Sequence, residues 1–266
     1  MTIQLFAAYF CVVLFAPIAE SGVAVELDEA EKGLEIAVEA KSRDSGYGDF
    51  TARIKMTLKN KQGQKSVREM NVKTFEDSKL GEKSLVIFTG PPDIKGTALL
   101  SYSYLSEKDK QWVFLPSIKR VKRIASGNKT GSFVGSEFSY EDISPQQVEK
   151  YTYKYVRDEE YGGNNCFVIE RYSKERRSGY SKQVIWFDKE EYRPLKVEHF
   201  DRKDALLKTL TIDGYQQYKE KFWRPDSSQM INHQTGKTTV LEFSEYQFST
   251  GLKSRDFEKS VLDRLK

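Results

Sequence analysis

Residues able to do chemistry are sparse in this 266-residue sequence. Histidine occurs twice, as His199 and His233. Each falls within a strand-like alternation with no second His or Cys at ligand spacing, so no metal site is expected. The adjacent carboxylates Glu141-Asp142 and Glu190-Glu191 have the side chains for acid and base roles. Neighbours in a strand or turn point apart, however, and both pairs read as structural or solvated. No Gly-x-Ser-x-Gly elbow, Walker loop or dinucleotide fingerprint is present, and the stretch from Gly90-Pro91-Pro92 to Gly96 lacks the Lys-Ser/Thr ending of a phosphate loop. Asn128-Lys129-Thr130 matches a glycosylation sequon by pattern alone. The sequence therefore predicts no enzyme, catalytic residue, metal or cofactor.

The elements that must position these residues begin with an apolar run from Ile3 to Ala19, then small residues and the acidic Glu26, Asp28, Glu29 and Glu31. This is the layout of a secretory signal, with cleavage expected after Ala24, although no Lys or Arg precedes the apolar core. The alternative is a retained anchor helix, for which about 17 residues is short. Residues 1–24 are thus expected to be an export signal and 25–266 one binding domain, the size of one large β domain. Cys11 falls in the signal, leaving Cys166, whose alternation with Val168 marks a buried structural thiol. A single thiol in an oxidising compartment forms no internal disulfide, so the fold must rest on its core.

From Leu27 to about Arg43, apolar Leu27, Ala30, Leu34 and Val38 recur at helical intervals on an acidic background, which predicts an amphipathic helix. The period then changes. Phe50, Ala52, Ile54, Met56 and Leu58 alternate with polar residues as a half-buried strand does, and strand patterns continue at hairpin spacing to Phe248. A Gly-rich region from Ser126 to Ser136 interrupts them. About eleven strands with short polar connections predict an antiparallel sheet. A sheet of that size must curl, split or close, and strand-helix-strand alternation is missing. The other helix candidates are Ser144 to Glu149 and Arg255 to Leu265. A net charge of +4 with acids and bases interspersed supplies no nucleic-acid-binding field.

One run is not explained by composition: Gly96-Thr97-Ala98-Leu99-Leu100, Trp112-Val113-Phe114-Leu115-Pro116, Lys119-Arg120-Val121-Lys122-Arg123-Ile124, and Gly131-Ser132-Phe133-Val134-Gly135-Ser136-Glu137-Phe138-Ser139-Tyr140-Glu141-Asp142. It resembles the outer membrane lipoprotein-sorting protein family, LolA-like in fold. The resemblance covers most of the chain after residue 24 and is most specific from about Pro91 to Asp142. It implies a mainly β fold, a single unclosed antiparallel β-barrel with N-terminal and short helices plugging the opening. It also implies a periplasmic location, acyl chains of a lipid or lipoprotein as ligand, transient membrane contact, and an inner-membrane exporter partner of the resistance-nodulation-division (RND) or mycobacterial-lipid (MMPL) type. The chain is longer than the lipoprotein carrier itself, with an extended basic and Gly-rich middle section, so the cargo is left open.

Candidates for the lining of such a hollow are the bulky residues Met56, Leu99, Trp112, Phe114, Phe133, Phe138, Tyr153 and Trp186. Ordinary core packing is the other reading for each, because small barrels fill their interiors with side chains. The run Lys119 to Arg123 places charge on both faces of a short strand, which must then be exposed on at least one side. It is either a solvated edge that discourages strand addition or, through Arg120 and Arg123, a contact for an anionic headgroup or an acidic partner. A second functional reading is an envelope lipid-sensing regulatory module. It expects a further C-terminal domain.

Overall fold

The computed structural model describes residues 28–77 and 80–265. The expected signal, with Cys11, lies outside the described residues. Helix α1 (Glu29–Arg43) begins at Asp28, whose Oδ1 accepts from the backbone N–H groups of Ala30 and Glu31 at 2.8 Å. Acids in its first turn and Lys41 and Arg43 in its last complement the helix dipole. Its buried face is not the one the apolar spacing predicts. Gly33, Ile36 and Ala37 face the protein, whereas Leu34 and Val38 are 46% and 50% exposed. The helix lies on a strand edge so closely that only a residue without a Cβ fits at the contact. A Cβ on Gly33 would sit 2.7 Å from the Tyr155 nitrogen and 2.8 Å from the Lys154 carbonyl carbon.

The first half of the sheet is a meander of β1 (Asp49–Lys59), β2 (Lys65–Asp77), β3 (Gly81–Gly90), β4 (Ala98–Tyr104), β5 (Lys110–Leu115) and β6 (Arg120–Ile124). Residues 125–150 then cross the concave side with single 3₁₀ turns and one helical turn, α2 (Tyr140–Ile143). The second half comprises β7 (Tyr151–Tyr161), β8 (Asn164–Ser173), β9 (Tyr180–Asp188), β10 (Pro194–Asp201), β11 (Leu206–Asp213), β12 (Gln216–Tyr218), β13 (Phe222–Arg224), β14 (Ser227–Asn232) and β15 (Thr238–Phe248). Thirteen of these form one antiparallel sheet, in the order β6-β5-β4-β3-β2-β1-β15-β14-β11-β10-β9-β8-β7. The halves are joined where β1 pairs with β15, in a register that sets Met56 opposite Leu241. The edges β6 and β7 do not pair, so the barrel is unclosed.

The mainly β, unclosed architecture is as expected, but the strands exceed eleven. The stretch from Phe222 to Asn232 is divided into two strands at Pro225, which has no N–H for the ladder. Its first part folds back on β12, after left-handed Lys219 and Glu220, into a separate two-stranded ribbon.

Alternation along the strands divides apolar residues between two faces. On the concave face Ile54, Met56, Met70, Val86, Phe88, Leu99, Val113, Met230 and Leu241 pack with Phe133 and Phe138 from the crossing segment. Tyr153, Ile169, Ile185 and Val197 pack with Ile36 and Ala37 of α1. The convex face of β3–β5 is covered too: Leu85, Ala98, Leu100 and Phe114 meet Phe257 and Leu262 from the C-terminal segment, which contains α3 (Ser260–Asp263). That segment covers the back of the sheet rather than the mouth where the sequence reading set it. Coverage on both faces accounts for the consecutive apolar residues Leu85-Val86-Ile87-Phe88 in β3 and Ala98-Leu99-Leu100 in β4.

Candidate functional site

Sheet, α1 and the crossing segment enclose a cavity of about 830 Å³ on the concave side. Its apolar wall comes from alternate residues of β1, β2, β3 and β15, including Ile54, Met56, Met70, Val72, Val86, Leu241 and Phe243, with Phe133, Phe138 and Ile143 projecting from the crossing segment. The far wall carries Tyr153, Ile185 and Phe187, and Ala37 and Ala40 of α1 close it from above.

Of the eight bulky residues the sequence singles out, Met56, Phe133, Phe138 and Tyr153 lie on this wall. Leu99 is in the concave core but does not reach the cavity. Trp112 and Phe114 sit on the convex face with Phe257, because they share the parity of β5 opposite to Val113. Trp186 is also convex, beside Cys166, Val168 and Val184. Its indole Nε1 donates to Glu159 at 3.1 Å and Lys196 Nζ lies 4.1 Å from the ring centroid. Cys166 is fully buried in this cluster, and burial pushes its thiol pKa up. Arg120 and Arg123 are exposed on edge strand β6 and are not part of the cavity wall.

The crossing segment is held by polar contacts that no local spacing reveals. The two adjacent carboxylates do point apart. Glu141 accepts from the Ser178 hydroxyl at 2.5 Å and the Gly179 N–H at 3.0 Å, and burial raises its pKa. Asp142 turns to the sheet and accepts from Lys208 Nζ at 2.7 Å, the Tyr180 hydroxyl at 2.8 Å and the Ser139 N–H at 2.7 Å. Burial alone would raise the pKa of Asp142. The Lys208 ammonium and these hydrogen bonds outweigh it and hold the carboxyl at about 2. His199 Nε2 is 3.8 Å from the same carboxylate, yet burial pushes its pKa down to about 3, so the ring is neutral and its buried Nδ1 has no partner among the described residues. Glu137 adds a third tie, accepting from Asn232 Nδ2 at 2.8 Å.

Toward the mouth the wall becomes polar. Glu82 accepts from the Tyr47 hydroxyl at 2.8 Å, from Gln147 Nε2 at 3.3 Å and from Lys41. Arg224 pairs with Asp44 and packs 5.1 Å from the Phe50 ring. Arg193 pairs with Asp188 at 2.8 Å and lies 4.5 Å from the Trp223 ring. Burial raises the Asp44 pKa and, with the adjacent Glu82 carboxylate, that of Tyr47. The arrangement offers an apolar hollow with a polar rim, suited to holding an amphiphile. Sequence reasoning misses the rim because its members come from α1 and the loop after it, β3, the β9–β10 turn, the crossing segment and the β12–β13 ribbon.

A family model described only as an uncharacterized protein matches residues 81–264. No curated protein matches. Among solved structures, an outer membrane lipoprotein-sorting protein domain from Vibrio parahaemolyticus is 52% identical, covering 88% of this chain and 100% of that one at a TM-score of 0.86. A DUF1329 family protein from Desulfovibrio piger is 29% identical over 89% of this chain and 100% of that one, with a TM-score of 0.84. A LolA superfamily protein from Nitrosomonas europaea, 20% identical over 86% of this chain and 98% of its own, shares the fold at a TM-score of 0.70. With half of the Vibrio sequence and nearly all of its backbone in common, the chain belongs to the outer membrane lipoprotein-sorting protein family, with a LolA-like fold.

Proposed function

We propose that this protein is a periplasmic carrier that holds the acyl chains of a lipid or lipoprotein in its cavity and passes the cargo between an inner-membrane exporter and the outer membrane. The observation that carries the reading is the 830 Å³ hollow with an apolar wall and a polar rim. Burial of an acyl chain is worth about 0.8 kcal/mol per CH₂, so a lipid with two or three chains faces a barrier of roughly 20 kcal/mol or more to crossing water unshielded. A carrier removes that barrier if its own affinity stays close to that of the membrane, because tighter binding would prevent release. The Vibrio relative is described as lipoprotein-sorting, which supports the same reading for this chain.

On this reading residues 1–24 direct export, 25–266 form the binding domain, and the protein acts by binding rather than catalysis. Met56, Phe133, Phe138 and Tyr153 contact the chains. Arg120 and Arg123, on the exposed edge, meet an acidic partner or headgroups during transient membrane contact, and an exporter of the RND or MMPL type supplies the cargo. The test is purification from the native envelope under mild conditions, followed by mass spectrometry of co-purifying lipids. Recovery of acyl compounds above a control protein of similar size is expected; repeated recovery of none would overturn the proposal.

A further inference from the structure

We propose that the cavity selects an amphiphile bearing a negatively charged group, and that Arg171 receives that group. The inference rests on the carrier reading and narrows its cargo. Cations are plentiful at the cavity, and most are neutralised by the protein itself: Lys41 by Glu82, Arg193 by Asp188, Arg224 by Asp44, and, behind the crossing segment, Lys208 by Asp142. Two lining cations lack a carboxylate partner among the described residues: Lys221, which is exposed and donates to the Ser45 carbonyl at 2.8 Å, and Arg171, whose side chain is turned inward. Arg171 projects from β8 into the cavity wall and is half-buried, with no carboxylate at ion-pair distance among the described residues.

One of its five N–H donors is used, from Nε to Gln183 Oε1 at 2.6 Å. The guanidinium carbon lies 4.6 Å from the centroid of the Tyr151 ring. The terminal nitrogens have no acceptor among the described residues. The side chain is thus fixed in direction by Gln183 and Tyr151 while its forked end stays free for a carboxylate or phosphate, which it can meet with two parallel hydrogen bonds. Tyr153, Ile185 and Phe187 line the same cavity, and an ion pair formed beside such an apolar wall is stronger than one in bulk water.

The cavity has room for the rest of the ligand. Counting each heavy atom at the roughly 30 Å³ that one water takes up in the liquid, a free volume of 830 Å³ holds at least on the order of 28 non-hydrogen atoms. That is one long acyl chain with its headgroup, or two short chains.

The test compares two probes with the same chain, cis-parinaric acid and its methyl ester, binding to the purified, delipidated protein at pH 8 by fluorescence. The acid is expected to bind about tenfold or more tightly than the ester. Arg171→Gln should bring the acid down to the ester's affinity, and Arg171→Lys should keep part of the preference. Equal affinity of the two probes for the unaltered protein would overturn the proposal even if the variants failed to fold, as would an acid preference that survives in Arg171→Gln. Binding of neither probe would instead remove the carrier reading itself. Displacement of the acid by lysophosphatidylglycerol but not palmitate assigns a phosphate as the anionic group, and the converse a carboxylate. Equal displacement by zwitterionic lysophosphatidylcholine would count against either.

Discussion

At the scale of residues, the carboxylate of Asp142 joins three strands and the crossing segment in a cluster shielded from water. Removing it leaves the Lys208 ammonium buried and uncompensated, which typically costs about 3–5 kcal/mol. Asp142→Asn is therefore expected to lower the chemical-denaturation midpoint by a corresponding amount. His199 gives the cluster a pH dependence whose sign follows from linkage. Its folded pKa of about 3 lies below the unfolded value of 6.5, so the unfolded chain binds the extra proton between them. Stability associated with the neutral ring is complete above pH 6.5 and falls as the pH drops toward 3, by roughly 2 kcal/mol between pH 7 and 5. Urea titrations across that range should show the decline in the unaltered protein and a flatter profile in His199→Gln. An equal slope in both would mean that the ring is not buried neutral. Asp142 adds a second loss at lower pH, from its unfolded value near 3.8 to about 2.

At the scale of elements, α1 shows how an amphipathic pattern can point the wrong way. Leu34 and Val38 form the more hydrophobic stripe, yet Gly33, Ile36 and Ala37 face β7 because close approach to a strand backbone needs small side chains. Opposite effects should follow for neighbouring positions. Gly33→Ala must push the helix off Lys154 and Tyr155 and is expected to cost about 2 kcal/mol despite the higher helix propensity of alanine. Ile36→Ala should cost about 2–4 kcal/mol, and Leu34→Ala less than about 1 kcal/mol. Thermal melts of the three variants check this order, and a Leu34→Ala loss equal to that of Ile36→Ala would contradict the orientation of the helix. The crossing segment reverses the usual relation between pattern and element. Its Gly- and Ser-rich composition reads as a loop, but it brings Phe133 and Phe138 into the concave core and is tied down by Glu137, Glu141 and Asp142.

At the scale of the whole molecule, the cavity exists because the thirteen-stranded sheet curls without closing and α1 and the crossing segment span the gap. Filling it should separate its lining from residues that merely resemble lining. Val72, half-buried on the wall, faces the hollow, so Val72→Trp is expected to reduce uptake of a fluorescent fatty acid about tenfold with little change in melting. Trp186→Phe, on the convex face, should lose about 1 kcal/mol of stability and leave uptake as it was. Equal uptake in Val72→Trp and the unaltered protein would place the ligand elsewhere. The sequence by itself determined the strand periodicity, the antiparallel class, the inert Cys166 and the family, because alternation, turn chemistry and a contiguous run from Gly96 to Asp142 are local properties of the chain. Tertiary structure alone decided which alternate face of β5 and β9 looks inward, sending Trp112, Phe114 and Trp186 to the convex side, where the C-terminal segment and neighbouring side chains cover them. Parity along one strand says that two faces differ; which is concave depends on the curl of the whole sheet. The Asp142, Lys208 and His199 cluster likewise joins separate segments across the fold, and no spacing within any one of them records the meeting.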